Sequence, residues 1–214
     1  WWRLFDDPEL NRLEALTLTA NQDLIAAMIR VDQAQADFKT SRADLFPSSS
    51  VGGSTDRSQS SANFTQLPGF TPPEVAQYRL KSTLSYEFDL WGKVRRSVES
   101  AQATLAATAY ARDAVMLRLT GEVAQQYFNL RTFDAEKSLL QKTISLRNES
   151  LVIAKTKQAG GLTHESDVTR AISSLTSAEA DVVDIQRRRE LALHTLAELC
   201  GQSANAFIIS AESS

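Results

Sequence analysis

Residues Tyr78 to Trp91 alternate between apolar and polar side chains, and a long helical pattern follows them at once. The even positions carry large apolar residues apart from Ser82, while the odd positions from 79 to 89 carry none. Successive side chains of a strand point to opposite faces, so this strand would have one apolar and one strongly polar face. From Gln77 to Leu90 it would extend roughly 46 Å, which crosses a bilayer core even when the strand is tilted. The other interpretation is an edge strand of a soluble sandwich.

The two faces of this strand lead to separate predictions. A membrane-crossing strand would turn its polar face to a hydrated lumen, and the candidate lumen-facing residues are Arg79, Lys81, Glu87 and Asp89. The candidate lipid-facing residues are Leu80, Leu84, Tyr86, Phe88 and Leu90. The alternative for the charged residues is that they only keep a sheet face in contact with water.

A coiled-coil pattern begins at Trp91 and continues to Ala159. Its apolar residues recur mostly at steps of three, four and seven, which is the seam of a coiled coil. At about 1.5 Å per residue this helix would be on the order of 100 Å long. A compact domain cannot contain such a helix.

A second helical seam follows a break at Gly160-Gly161, and it ends at Gly201, a residue typical of a helix C-terminus. Two long helices joined by such a short link must run antiparallel. The sequence therefore predicts a mainly α fold with a small β part, in which a long antiparallel α-helical coiled-coil hairpin follows the strand.

Two helices and a weaker candidate strand precede the strong strand. Asp7-Pro8 is a helix start, and a second helix ends before Pro47 because the residue before proline resists the helical conformation. Residues 48–63 are rich in Ser and Gly. They are either a linker or a small-residue strand that pairs with the strong one. The proline-containing segment 64–76 would be the loop between them.

Composition and motifs argue against several functions. A net charge of −3 provides no basic field for nucleic acid, so no nucleic-acid partner is expected. Cys200 is the single cysteine, and neither His164 nor His194 has a partner at metal-ligand spacing. We find no catalytic constellation, so the sequence predicts neither an enzyme nor a cofactor or metal site. No apolar stretch approaches the roughly 20 residues of a membrane helix.

Four segments carry a family resemblance: WWRLFDDPELNRL, NQDLIAAMIRVDQAQADFKTSRADLFP, SYEFDLWGKVRR and KQAGGLTHESDVTRA. Together they resemble the outer-membrane channel of tripartite efflux pumps, the TolC family, and specifically its NodT-like branch. The third segment is the most diagnostic, because family members carry a similar motif where a barrel strand passes into the long helix. In the fourth segment Gly161, Asp167, Val168 and Ala171 fit the family pattern, whereas Lys157, Gln158 and His164 depart from it.

The resemblance implies a TolC-like half-protomer with two transmembrane β-barrel strands, because family members contain two tandem strand-strand-helix-helix repeats and this chain shows only the first. Residues 1–44 would be the N-terminal helices of the periplasmic equatorial region. Residues 45–90 would hold the two barrel strands and an extracellular loop at about 64–76. Residues 91–200 would form the hairpin with its tip at about 160–163, and 201–214 would begin the inter-repeat connection.

The function implied by the resemblance is a passive conduit in the outer membrane of a Gram-negative bacterium. It would carry drugs, metals or other small molecules across the periplasm and outer membrane, within a tripartite efflux pump or a type I-like export system. The expected partners are two further copies in a full-length homotrimer, a periplasmic adaptor protein, an inner-membrane pump and outer-membrane lipid. A lipoprotein leader before Trp1 is also expected. The alternative is a structural role as the coiled-coil hairpin of a periplasmic adaptor (membrane fusion) protein.

The hairpin tip is the expected partner-binding site, and it comprises Gly160, Gly161, Leu162 and Thr163. Glycines permit a close approach of another chain, and Leu162 offers a small apolar anchor. The alternative is that both glycines serve only the turn.

Overall fold

The computed structural model describes residues 1–60, 73–205 and 207–209. A 3₁₀ helix (Trp2–Phe5) precedes two α-helices, α1 (Pro8–Ala20) and α2 (Gln22–Ala43). Two strands follow, β1 (Ser48–Ser58) and β2 (Val75–Ser85), and then two long helices, α3 (Lys93–Ala159) and α4 (Glu165–Leu199). The mainly α fold with a small β part is therefore confirmed. Contacts divide the chain into two units, residues 31–108 and the remainder.

The unit of residues 31–108 contains an antiparallel pair of strands. Ser48 of β1 faces Ser85 of β2, and at the other end Ser58 faces Val75. The linker interpretation of residues 48–63 is therefore wrong for 48–58, which form the predicted small-residue strand. Small residues suffice because a ladder is held by backbone groups, and the large side chains come from β2.

The strong strand differs from its predicted bounds of 77–90 at both ends, since β2 runs from Val75 to Ser85. β2 ends at Ser85 because its partner strand provides no residues to pair with those that follow. Its partner begins at Ser48, directly after Pro47, and the preceding chain belongs to α2. Proline has no N–H to donate to a ladder, so the residues beyond Ser85 have no strand beside them.

The predicted extracellular loop at 64–76 is only partly covered by the structure. Residues 64–72 lie outside the described residues. Val75 and Ala76 belong to β2, so the predicted loop extends too far at its end.

The other unit has its core where α1 packs against the base of the hairpin. The core residues come from α1, α3, the end of α4 and the segment that follows it: Leu10, Leu13, Val123, Tyr127, Leu130, Leu196, Cys200, Phe207 and Ile209. The Asp7 side chain accepts hydrogen bonds from the backbone N–H of Glu9 and Leu10, which confirms the predicted helix start. The Tyr127 hydroxyl donates to Asp7 and thereby joins the start of α1 to α3.

The hairpin helices run antiparallel, as predicted. Three polar contacts cross between them: Arg189 with Asp134, Lys137 with Gln186, and Arg147 with the backbone oxygen of Ser174. In each pair the two residues lie almost equally far from Gly161 along the chain, which defines a single register. Along the described parts of the chain, we find no helix with the length and apolar character needed to cross a membrane.

Gly201 ends α4 in the predicted way and also allows a close contact. Its φ of 64° is left-handed, and its N–H donates to the Glu198 oxygen while the next N–H donates to Ala197. This pair of bonds is a Schellman motif. A Cβ atom at Gly201 would lie 2.3 Å from the backbone oxygen of Ala20, so the end of α1 touches this turn directly.

Candidate functional site

The strand pair has one apolar and one polar face, as the alternation predicts. Tyr78, Leu80 and Leu84 of β2 share a face with Val51 of β1, because Val51 lies opposite Ser82. The other face carries Arg79 and Lys81 of β2, with Ser54 and Gly52 opposite them. The register thus extends the two faces across both strands.

Both faces of the strand pair are exposed along their whole length. Leu80 and Tyr78 keep 83% and 81% of their surface accessible, and Leu84 keeps 73%. A sheet normally covers its apolar face with another layer. Among the described residues nothing covers the apolar face of this pair.

The predicted lumen-facing residues Glu87 and Asp89 lie beyond the end of β2, so placing them on its polar face is wrong. Glu87 pairs with Lys93 at 3.1 Å in the first turn of α3. Asp89 accepts a hydrogen bond from the Arg95 backbone N–H at 3.0 Å and pairs with the Arg95 guanidinium at 3.3 Å. Carboxylates are favoured at a helix N-terminus because of its unpaired N–H groups. Whether they also face a lumen stays a prediction.

Three of the predicted lipid-facing residues also lie beyond the ladder. Tyr86, Phe88 and Leu90 follow β2 and are exposed, and the rings of Tyr86 and Phe88 pack edge to face with centroids 4.8 Å apart. All three lie in the segment between β2 and α3. A role in contacting lipid stays a prediction for all five residues.

The turn between α3 and α4 is a second Schellman motif. The Leu162 N–H donates to the Lys157 oxygen and the Gly161 N–H to the Gln158 oxygen, both at 2.9 Å. Gly161 has a left-handed φ of 73°, whereas Gly160 does not take a positive φ. The turn therefore requires a glycine at 161 but not at 160.

The side chains after Gly161 are presented at the surface. Leu162 is 81% exposed, although it is apolar. The Thr163 hydroxyl donates a hydrogen bond to Asp167 in the first turn of α4. This hydrogen bond lowers the pKa of Asp167, and the Arg170 charge lowers it further. The tip thus presents one apolar side chain beside an anchored, ionised carboxylate.

The two tip glycines should differ in their tolerance of alanine. Gly161→Ala is expected to lower the free energy of unfolding by about 1 kcal/mol, because a Cβ atom disfavours the left-handed conformation. Gly160→Ala should change it by less than about 0.5 kcal/mol, since the added Cβ would have its nearest neighbour at 3.6 Å. Denaturant unfolding of the two variants measures both, and equal losses would contradict the assignment of the turn.

A further apolar surface on the hairpin was not predicted as a site. Leu139, Leu146 and Ile153 of α3 are seven residues apart and largely exposed, at 64%, 63% and 55%. Their heptad spacing places them on one face of the helix, away from the buried seam. The spacing was visible in the sequence, but it could not be distinguished there from the seam itself.

The structure assembles no metal site from the residues that it describes: they contain no group of three or more His, Cys, Asp and Glu side chains placed to hold an ion. The structure places His164 at the N-cap position of α4, where its side chain makes no capping hydrogen bond, and Cys200 in the core.

Comparisons of the sequence and of the structure both match this chain to outer-membrane proteins. The profile of the family described as "outer membrane efflux protein" matches residues 14–202. The chain is 30% identical over 204 residues to a probable efflux pump outer membrane protein, TtgC of Pseudomonas putida, covering 94% of this chain and 41% of that protein. It is 32% identical to the solvent efflux pump outer membrane protein SrpC of Pseudomonas putida, covering 92% and 42%.

A solved structure gives the same result in three dimensions. The outer-membrane channel OprN superposes with a TM-score of 0.85 at 30% identity, over 98% of this chain and 46% of that one. This chain therefore spans less than half the length of TtgC, SrpC and OprN.

Proposed function

Because the chain belongs to the outer membrane efflux protein family, we propose that it forms part of a channel subunit in the outer membrane of a Gram-negative bacterium. The channel is a passive conduit of a tripartite efflux pump or a related export system. TtgC and SrpC are named as outer membrane proteins of efflux pumps and OprN as an outer-membrane channel, and we infer a channel role rather than an enzymatic one for this chain. Family membership also favours the channel over the adaptor protein.

The strand pair carries this proposal. β1 and β2 have 11 residues each, which is the length that a tilted barrel strand needs to cross a bilayer. Lipid would cover the exposed apolar face around Leu80. Water in the lumen would hydrate Arg79 and Lys81 on the opposite face. Two strands cannot close a barrel, so the remaining strands must come from further repeats or copies.

Assembly with further copies also fits the hairpin. The exposed stripe of Leu139, Leu146 and Ile153 has the spacing that packs against a neighbouring helix. We infer that hairpins of neighbouring repeats or copies cover it, within a homotrimer of full-length subunits. The hairpins together would enclose the periplasmic part of the conduit.

The hairpin tip is the surface that we assign to the periplasmic adaptor protein, through which the channel meets the inner-membrane pump. Leu162 stands out from the turn, and a buried apolar anchor at the centre of a contact can contribute 2 kcal/mol or more. Asp167 beside it would select a cationic or hydrogen-bond-donating partner group. We also propose that the channel transports drugs, metals or other small molecules.

Leu162→Asp tests this assignment. It should weaken binding to the adaptor by roughly 30-fold, because it places a charge where an apolar anchor is buried. In cells, efflux and photo-cross-linking from position 163 to the adaptor should both be lost. Oligomers should still reach the outer membrane, since Leu162 has no role in the hairpin core.

Leu162→Met is the matched control, because it keeps an apolar side chain of similar volume. It should retain efflux and cross-linking. Wild-type cross-linking and efflux in the Leu162→Asp variant would show that these residues only form a turn. Loss of outer-membrane oligomers would instead show that Leu162 serves assembly.

A further inference from the structure

Glu14 of α1 is buried in a way that its charge does not predict. It has no accessible surface, and both of its carboxylate oxygens lack a hydrogen-bond partner among the described residues. It lies between the buried residues Leu13 and Thr17 on α1, the helix that packs against the hairpin base. An ionised carboxylate in such a place has a large desolvation cost.

A second unpaired oxygen lies next to it. The side-chain oxygen of Asn11 is also buried without a hydrogen-bond donor. Asn11 precedes Glu14 by three residues on the same helix, a spacing that brings Cβ atoms to about 5–6 Å. Three buried acceptor oxygens therefore lie on this part of α1, and no side chain among the described residues donates a hydrogen bond to any of them. A proton on Glu14 would supply the missing donor, with Asn11 as its acceptor.

We propose that the folded protein holds Glu14 in its protonated form, hydrogen-bonded to Asn11, and that ionisation of Glu14 loosens α1 from α3 and α4. The joint between the N-terminal helix and the hairpin base is then sensitive to pH in the neutral range. This inference rests on the burial of Glu14 and is independent of the proposed channel function.

Among the residues that the structure describes, the nearby charged and titratable groups have partners other than Glu14. On α1, Arg12 is paired with Glu9 at 2.6 Å. From α3, the Tyr127 hydroxyl donates to Asp7 and accepts a hydrogen bond from Arg131. Directly after α4, the Cys200 thiol contacts the Thr17 hydroxyl and the Leu13 oxygen, and burial raises the pKa of this thiol, so it stays neutral.

Burial raises the pKa of Glu14 from 4.5 to about 7. Between pH 4.5 and about 7, Glu14 is protonated in the folded state and ionised in the unfolded state. The free energy of unfolding therefore falls as pH rises through this range. The contribution of the protonated carboxyl is fully present below 4.5 and is lost as pH rises through about 7. Opening of α1 should increase roughly 70-fold between pH 5 and pH 8.

Hydrogen exchange of the α1 amides in the purified protein measures this opening, after correction for the intrinsic exchange rate. Wild-type protein should show the increase between pH 5 and pH 8. Glu14→Gln should remove it, because glutamine donates to Asn11 at every pH. Glu179→Gln is the matched control: Glu179 lies on the exposed face of α4, so its pH dependence should equal that of the wild type.

Three results would overturn the proposal. One is a wild-type α1 whose opening does not change with pH, and another is a pH dependence that survives in Glu14→Gln. The third is protection that depends on Na⁺ or K⁺ at constant pH, which would assign the three oxygens to a cation instead. Should Glu14→Gln fail to fold, the infrared band of a protonated carboxyl in wild-type protein at pH 6 decides the question, and its absence refutes the proposal.

Discussion

Replacing Leu80 by arginine is expected to lower the stability of the membrane-assembled protein by about 2–4 kcal/mol. Leu80 is the central residue of β2, and it lies on the exposed apolar face opposite Gly53. If this face meets lipid, the guanidinium would lie near the middle of the bilayer, where the cost of a charge is highest. The assembled, heat-modifiable oligomer should therefore be greatly reduced.

Thr83→Arg is the matched control, because it introduces the same side chain on the opposite face of the same strand. Arg79 and Lys81 already occupy that face, so a further cation there should leave assembly unchanged. If both variants assemble as well as the wild type, a membrane-crossing role for β2 is contradicted. A similar loss in both would indicate that the pair packs against protein on its two faces.

Gly201→Ala is expected to lower the free energy of unfolding by about 3 kcal/mol. The left-handed conformation at this position costs a residue with a Cβ atom about 1–2 kcal/mol. The new atom would also lie 2.3 Å from the Ala20 backbone oxygen, so the two segments must separate. Overpacking of this kind adds about 1–3 kcal/mol. Equilibrium unfolding in denaturant measures the loss.

Gly161→Ala separates these two contributions. Gly161 has a similarly left-handed φ of 73°, but a Cβ atom there would have no neighbour within 4 Å. The difference between the two variants therefore measures the close approach of Ala20. If both variants lose the same free energy, the contact between α1 and the end of α4 does not constrain this turn.

The helices were predictable because their signals are local. The seam from Trp91 to Ala159 and the break at Gly160-Gly161 define α3 and its end to within two residues. The antiparallel arrangement follows from the short connection alone. The end of α4 at Gly201 and the start of α1 at Asp7-Pro8 were predictable for the same reason, because a capping motif depends only on adjacent residues.

The end of β2 was not predictable from its own residues. Alternation continues through Tyr86, Phe88 and Leu90, but a strand also needs a partner, and the position of Pro47 denies it one. The contacts of Glu87 and Asp89 with the first turn of α3 follow from that early end. They therefore depend on the pairing register, which one strand cannot reveal.

Glu14 shows the opposite difficulty. Its spacing from Leu10, Leu13 and Thr17 places it on the buried face of α1, yet its charge argues for an exposed position. Leu16 and Leu18 are apolar residues of the same helix, and they are only partly buried. A hydrophobicity pattern assigns charged residues to the surface, so it does not identify a buried carboxyl group such as that of Glu14.

The single register of α3 and α4 limits how the hairpin can change its length during evolution. Each crossing contact joins residues at almost equal distances from the turn, so an insertion in one helix alone would misalign every contact that lies farther from Gly161 than the insertion. Tolerated changes must occur in both helices at once and in whole heptads, which restore the seam. Homologous hairpins should therefore differ in length by about 14 residues or multiples of this number.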